Sequence, residues 1–145
     1  MTVLERRSLK NLNAFGVEVA AKYFSEIRSV AEFHALTRDG RFACERKLIL
    51  GGGSNILFTK DFDGWVVKNS LHGIEIVDET PGEVTVKAGA GEDWHEFVNW
   101  CIERNYGGLE NLSLIPGLVG AAPVQNIGAY GVELKDTFHE LEAVE

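Results

Sequence analysis

No run of about 18 apolar residues, the length a membrane-crossing helix needs, occurs anywhere in the chain, and the opening MTVLERRSLK lacks the apolar segment of a secretory leader. A cytoplasmic protein is therefore expected. Positive charge is also scarce: 14 Lys and Arg stand against 22 Asp and Glu, a net charge of −8. Nucleic acid and anionic membrane need concentrated cations, so neither is expected as a partner. One phosphate-bearing ligand remains compatible, because backbone amides in a turn bind phosphate without net positive charge. Cysteine occurs only at 44 and 101, with no metal-type spacing, and both are read as reduced and partly buried. None of His34, His72, His95 and His139 has a neighbouring Cys, His or carboxylate arranged for metal or nucleophile work, so no catalytic or metal-binding set emerges.

Glycine, in contrast, is abundant at 16 residues, and it clusters. The rest is ordinary for a globular protein, with 45% hydrophobic and 25% charged residues, which argues against disorder. VEVAAKYF (17–24) partly alternates and fits a strand. Ser29 and Glu32 have capping-box spacing before Val30, Phe33 and Leu36, predicting a helix that stops at Asp39-Gly40. KLILGGGSNILF then reads as strand, glycine turn and a further apolar run, making a small α/β unit over roughly 17–58. WVVKNS (65–70) is another strand, and Pro81-Gly82 joins 75–77 to 84–91 as a hairpin. Trp94, Phe97, Val98, Cys101 and Ile102 share one face of a helix that opens at Glu92-Asp93 and ends at Gly107-Gly108. FHELEAVE (138–145) reads as the start of a strand cut at its last residue, which suggests a fragment of a longer protein and an unpaired edge prone to self-association. Asp61/Asp63 and Asp78/Glu79 are expected on surface loops, and Trp65, Trp94 and Trp100 in cores or interfaces.

Two glycine-rich stretches carry the chemistry. Gly51-Gly52-Gly53-Ser54-Asn55 follows a β run. Its glycines permit positive φ and close approach, its amides can form an anion nest, and Ser54 and Asn55 add donors. That is pyrophosphate binding by neutral groups, although a tight turn without a ligand accounts for the stretch equally well. It is not a Walker loop, having no Lys-Ser/Thr after the last glycine, and not a dinucleotide fingerprint, because Ile56-Leu57-Phe58 reads as strand rather than helix. Gly89-Ala90-Gly91 fails the same fingerprint at Trp94. The second stretch, IPGLVGAAPVQNIGAYG (115–131), has four glycines, two of the three prolines and no charge. Pro116 and Pro123 fix an irregular path, Leu118, Val119, Val124 and Ile127 offer apolar surface, Gln125 and Asn126 offer amides, and Tyr130 offers a ring or a hydroxyl. A long uncharged wall of this kind suits a large planar cofactor. The alternative is a structural loop.

Together with the leading NLNAFGVEVAA, the segments LGGGSNILF, AGAGEDWHEFVNW and GLENLSLIPGLVGAAPVQNIGAYGVE closely resemble the UDP-N-acetylenolpyruvoylglucosamine reductase family of peptidoglycan-precursor synthesis, in order from about residue 10 to 145. NIGAYG preceded by PGLVGAAP is highly specific; GGGSN alone is only suggestive. The resemblance implies an α+β fold of the FAD-binding type-2, vanillyl-alcohol-oxidase-like (PCMH) class. It places a small α/β lobe at 1–72 and the first part of a second α+β lobe at 73–145, with a substrate-binding domain beyond. It implies that Gly51, Gly52, Gly53, Ser54 and Asn55 hold the FAD pyrophosphate. Pro116, Gly117, Gly120 and Ala121, followed by Gln125, Asn126, Ile127, Gly128, Ala129, Tyr130 and Gly131, would line the adenine–ribityl–flavin path. Ala121-Ala122 stands where some relatives carry hydroxyls, and Ala14 where threonine is more usual. In the family NADPH reduces the flavin, which passes hydride to the vinyl carbon of a nucleotide-sugar enol ether, with a serine as proton donor and an arginine and a glutamate on the substrate carboxylate. Those three residues lie downstream of the matched stretch, so no catalytic residue is expected in 1–145. An FAD-dependent oxidase of the same fold is the nearest alternative, though neither glycine loop holds the His or Cys to which many such oxidases attach flavin. A non-enzymatic nucleotide-binding module is the other.

Overall fold

The computed structural model describes residues 2–144. The chain divides into two compact units, Met1–His72 and Gly73–Glu145.

The first unit is a four-stranded sheet. In chain order its elements are β1 (Val3–Ser8), β2 (Ala20–Ile27), α1 (Val30–Thr37), α2 (Gly40–Cys44), β3 (Lys47–Leu50) and β4 (Phe62–Asn69). The strand order is β1-β2-β4-β3, with β2, β4 and β3 parallel and β1 antiparallel at one edge. Trp65, Val66 and Val67 in β4 are fully buried. A central parallel strand is covered on both faces, which is why it reads as a continuous apolar run. On one face Val66 packs with Leu9, Val19, Phe24, Leu50 and Phe58; on the other Trp65 and Val67 pack with Ile27, Leu36 of α1 and Phe42 of α2. The Trp65 ring meets Phe42 edge-on at 5.4 Å, and its Nε1–H donates to the buried Ser25 hydroxyl at 3.1 Å, so the indole enters the core with its polar atom satisfied.

Ser29 caps α1 as its spacing predicts, accepting from the Glu32 amide. Glu32 reaches back to the Arg28 amide at 2.7 Å. Asp39-Gly40 is not simply a stop: α1 ends at Thr37, and the Asp39 carboxylate accepts from the Arg41 amide to begin α2. Residues 56–58 do not form the expected strand. They lie on the crossover from β3 to its parallel neighbour β4, where Phe58 is buried as a plug in one core face while the backbone pairs with nothing. Cys44 is exposed rather than partly buried.

The second unit begins with a hairpin, β5 (Ile74–Thr80) and β6 (Glu83–Ala88), turning at Pro81-Gly82, with Gly82 at φ 98°. Asp78 and Glu79 sit on the exposed edge of β5, not on a loop. Helix α3 (Trp94–Glu103) buries Trp94, Phe97, Val98 and Cys101, and the Asp93 carboxylate caps it by accepting from the Glu96 amide. Its end is earlier than the glycine pair suggests. Asn105 adopts φ 61°, its amide returns to Ile102 O, and the Tyr106 amide returns to Cys101 O. That double closure is a Schellman motif with asparagine in the left-handed position. The Trp94 Nε1–H donates to Leu112 O at 2.7 Å, tying α3 to the segment that follows it. Short elements complete the unit: α4 (Ala122–Gln125), then β7 (Gly128–Ala129) and β8 (Val132–Glu133).

Residues 138–144 form no strand. They approach β6 through a side-chain ion pair, Lys87 to Glu142 at 3.0 Å, and not through a backbone ladder. The unpaired edge on which self-association was expected is therefore not formed.

Candidate functional site

The GGGSN loop sits at the carboxyl end of β3, beside the end of β4. Ligands of open parallel sheets bind outside this end of the strands. Gly53 is buried at φ 69°. A Cβ there would come within 2.9 Å of Asn13 Cα and closer still to the Leu12 carbonyl. The segment 9–17 thus packs directly on the loop, and the Ala14 amide donates to Gly53 O at 3.0 Å. Asn13 organises that segment from inside: its amide donates to Leu9 O at 2.8 Å and Val17 O at 3.1 Å, and its oxygen accepts from the Val17 amide at 3.0 Å. Composition and pattern gave Asn13 no role, because a single asparagine in a polar stretch has no periodic signature.

A cation also stands behind the loop. Lys68, near the end of β4, donates its ammonium to Gly51 O at 2.6 Å. Burial pushes its pKa down from the ordinary lysine value, against a smaller upward pull from Glu26. The sequence did carry a signal for it, a lone cation directly after the apolar run WVV. With the carbonyls of Gly51 and Gly53 held by Lys68 and Ala14, trans peptide geometry turns the following N–H groups, of Gly52 and Ser54, the opposite way. Gly52 and Asn55 are exposed at this rim, while Gly51 and Ser54 are half-buried.

In the second unit much of the 115–131 backbone is already used. The stretch zips onto AGAGEDW (88–94): Trp94 N donates to Gly117 O at 3.0 Å, Val119 N to Glu92 O at 2.9 Å, and Gly120 N to Ala90 O at 3.0 Å. A Cβ on Gly120 would sit 2.6 Å from Ala90 Cβ. The space left by this glycine is filled by the chain itself, not by a ligand. Ala121 N closes onto Leu118 O, and Ile127 N onto Ala122 O. Leu118 and Ile127 are buried, which corrects their reading as ligand-facing apolar surface; Val124 is exposed. Pro116, Asn126, Gly128, Tyr130 and Gly131 are exposed, and Gly117, Ala121, Gln125 and Ala129 half-buried.

Tyr130 and Gly131 take φ of 53° and 82° between the two-residue strands β7 and β8. Positive φ at both central positions is the signature of a type I′ hairpin, where Asn-Gly is the favoured pair. A tyrosine held there at 91% exposure is conformationally costly. Beside the hairpin an open groove of about 480 Å³ is lined by Asn126, Gly128, Ala129, Gly131 and Val132, with Glu133, Lys135 and Asp136 adding charge. Glu110 accepts from the Gly108 amide at 2.6 Å; its own backbone N–H first, then that of Gly108, hold its carboxyl below the usual glutamate range. The Leu114 amide donates to His95 Nδ1 at 3.2 Å, and Asn99 engages the other ring nitrogen. Among the described residues no group of three or more His, Cys, Asp or Glu side chains could hold a metal ion, and no helix is long and apolar enough to cross a membrane.

The GGGSN rim offers backbone amides turned away from Lys68 and Ala14, small side chains and one cation held behind a carbonyl. It fits the diphosphate of a dinucleotide. Residues 21–145 match the model of a family described as the FAD binding domain. The chain belongs to that family. Its cofactor is FAD, and the α+β FAD-binding fold is the one expected. UDP-N-acetylenolpyruvoylglucosamine reductase of Amoebophilus asiaticus is 50% identical over 145 residues, covering 100% of this chain and 43% of the relative. The enzyme of the same name from Flavobacterium johnsoniae is 51% identical over 144 residues, covering 99% of this chain and 42% of the relative. The chain thus spans about two fifths of the length of these relatives. The crystal structure of UDP-N-acetylenolpyruvylglucosamine reductase from Thermus caldophilus superposes with a TM-score of 0.67 at 22% identity, over 93% of this chain and 45% of that one. At that identity it establishes the fold.

Proposed function

We propose that residues 1–145 are the FAD-binding part of an NADPH-dependent reductase that converts UDP-N-acetylglucosamine enolpyruvate to UDP-N-acetylmuramate for peptidoglycan precursors. The observation that carries this reading is identity near 50% with enzymes of that name across the entire chain, both glycine-rich stretches included. FAD, when bound, supplies a ring that carries hydride between a nicotinamide and the substrate. The residues of this chain bind and orient it. Gly51 to Asn55 hold the pyrophosphate, the Gly52 N–H, turned away from Lys68, meeting its oxygens. In the second unit Pro116, Gly117 and Ala121, the run Gln125 to Asn126 and the hairpin Gly128 to Gly131 line the adenine–ribityl–flavin path. Gly120 and Ile127 act beneath them, as close-packing and core residues. No residue of 1–145 is assigned a catalytic role. The negative charge, and the absence among the described residues of a membrane-length apolar helix, support a cytoplasmic protein acting on a small nucleotide sugar, without nucleic acid or membrane as partner.

Titration of the chain with FAD, followed by flavin fluorescence, tests the reading. Saturable binding is expected, and Gly52→Asp, which sets a carboxylate against the pyrophosphate, is expected to abolish it. FAD bound equally well by Gly52→Asp refutes the loop assignment. NADPH oxidation that depends on the enolpyruvyl sugar nucleotide, in a protein of the relatives' length containing these residues, separates reductase from oxidase.

A further inference from the structure

Three consecutive glycines raise a mechanical problem. Glycine gives a loop freedom, but free peptide planes do not hold donors on an anion, and each plane fixed during binding costs affinity. Here two planes are already fixed from behind. The Gly53 carbonyl accepts from the Ala14 amide at 3.0 Å, a neutral bond. The Gly51 carbonyl accepts from Lys68 Nζ at 2.6 Å, and bonds to charged donors are the shorter and stronger kind.

The sheet register explains why Lys68 points to the loop. On β4 it stands between Leu50 of β3 and Glu26 of β2. Glu26 is the obvious ion-pair partner, but its two oxygens are engaged by the Ser70 hydroxyl at 2.8 Å and the Arg28 guanidinium at 2.7 Å. Leu50 offers no charge, and the next residue along β3 is Gly51, whose carbonyl faces the ammonium.

We infer that Lys68 is a positioning residue for the cofactor's pyrophosphate, pinning the Gly51 carbonyl so that the Gly52 N–H is presented to the anion before it binds. This rests on the reading that GGGSN takes the pyrophosphate. Lys68 acts through the loop and not as a phosphate ligand: its ammonium lies on the carbonyl side of the Gly51–Gly52 peptide, opposite the N–H that meets the anion. It also draws electron density from the Gly51–Gly52 peptide, making the Gly52 N–H a better donor. The half-burial that depresses its pKa is the cost of holding a cation there.

The test measures FAD dissociation constants by flavin fluorescence at several salt concentrations for the wild type, Lys68→Met, Lys68→Arg and Gly52→Asp. Lys68→Met keeps the aliphatic stem and loses the donor. It is expected to bind FAD about tenfold more weakly, the loss of one charge-assisted bond, with an unchanged salt dependence. Lys68→Arg, which keeps a cationic donor, is expected to recover most of the loss. Unchanged affinity in Lys68→Met, with Gly52→Asp unable to bind, overturns this inference and leaves the loop assignment standing. A shallower salt dependence in Lys68→Met overturns it in favour of direct phosphate contact. FAD binding by Gly52→Asp overturns both. Should Lys68→Met unfold, Lys68→Gln replaces it, compared at equal folded fraction: affinity below that of Lys68→Arg supports the inference, and affinity equal to Lys68→Arg and wild type overturns it.

Discussion

Gly53→Ala and Gly16→Ala form a matched pair. Both glycines lie in the first unit at similar backbone angles, φ 69° and φ 61°. Alanine at either position carries the left-handed penalty, about 1–2 kcal/mol. The two differ in what a methyl meets. At Gly16 nothing lies within 4 Å. At Gly53 the methyl runs into the Leu12 carbonyl and lies 2.9 Å from Asn13 Cα, all backbone, so no side chain can swing aside. Moving segment 9–17 away breaks the Ala14 bond to Gly53 O and disturbs the Asn13 side chain's hydrogen bonds to Leu9 and Val17. Overpacking of this kind costs about 1–3 kcal/mol on its own. Gly16→Ala should therefore cost about 1–2 kcal/mol and Gly53→Ala about 2–5 kcal/mol, against a total stability of about 5–15 kcal/mol. At this chain length about 3 °C of melting temperature accompanies each kcal/mol. Circular-dichroism melts should place Gly53→Ala about 6–15 °C below the wild type and Gly16→Ala about 3–6 °C below. Equal melting temperatures for the two variants would refute the steric argument.

Gly120→Ala should destabilise the second unit through its 2.6 Å approach to Ala90 Cβ, and Ala90→Gly in the same chain should return only part of the loss, because Ala90 O remains at 2.9 Å; a double-mutant cycle by urea denaturation measures the coupling. Tyr130→Asn should stabilise the hairpin by about 0.5–1 kcal/mol, Asn-Gly being the preferred type I′ pair, while weakening FAD binding; melting and FAD titration on one sample check both signs. The carboxyl of Glu110 is held below its ordinary pKa by backbone N–H groups. Its contribution is therefore present above the unfolded-state pKa and disappears as pH falls through the lower folded-state pKa; Glu110→Gln should narrow its stability gap to the wild type over that acid range in melts at stepped pH. A thiol reagent should label the exposed Cys44 quickly and Cys101 only on unfolding, since Cys101 is buried and desolvation raises its thiol pKa; rates with and without urea decide.

Elements whose cause is local were legible. Apolar spacing marked α3, the Ser29 and Asp93 carboxyl- or hydroxyl-type caps marked two helix starts, and Pro81-Gly82 marked a hairpin. What escaped was set by contacts distant in sequence. Ile56-Leu57-Phe58 has strand composition, but a crossover between parallel neighbours leaves it no edge to pair with. Residues 138–144 alternate like a strand and meet β6 only through side chains. Asn105 ended α3 ahead of Gly107-Gly108, because asparagine tolerates the left-handed turn well enough to take the first opportunity. At the site, both glycine stretches stood out by composition. The partners that shape them, Leu12 with Asn13 and Lys68 for one, Ala90 for the other, are 17 to 41 residues away or lie across a sheet register that local patterns do not encode.

Those partners change what glycine means in each stretch. Gly53 and Gly120 are fixed by the chain's own packing, and Gly131 by a turn with positive φ. These residues would be glycine whether or not a ligand were ever bound. Gly52 is different. It is exposed, and its φ lies outside the left-handed region, so its backbone conformation does not demand glycine. Its N–H, opposite the carbonyl that Lys68 holds, is the group the proposed pyrophosphate would meet. Under that proposal a side chain at 52 would face the anion, while Gly53 supports the loop from beneath.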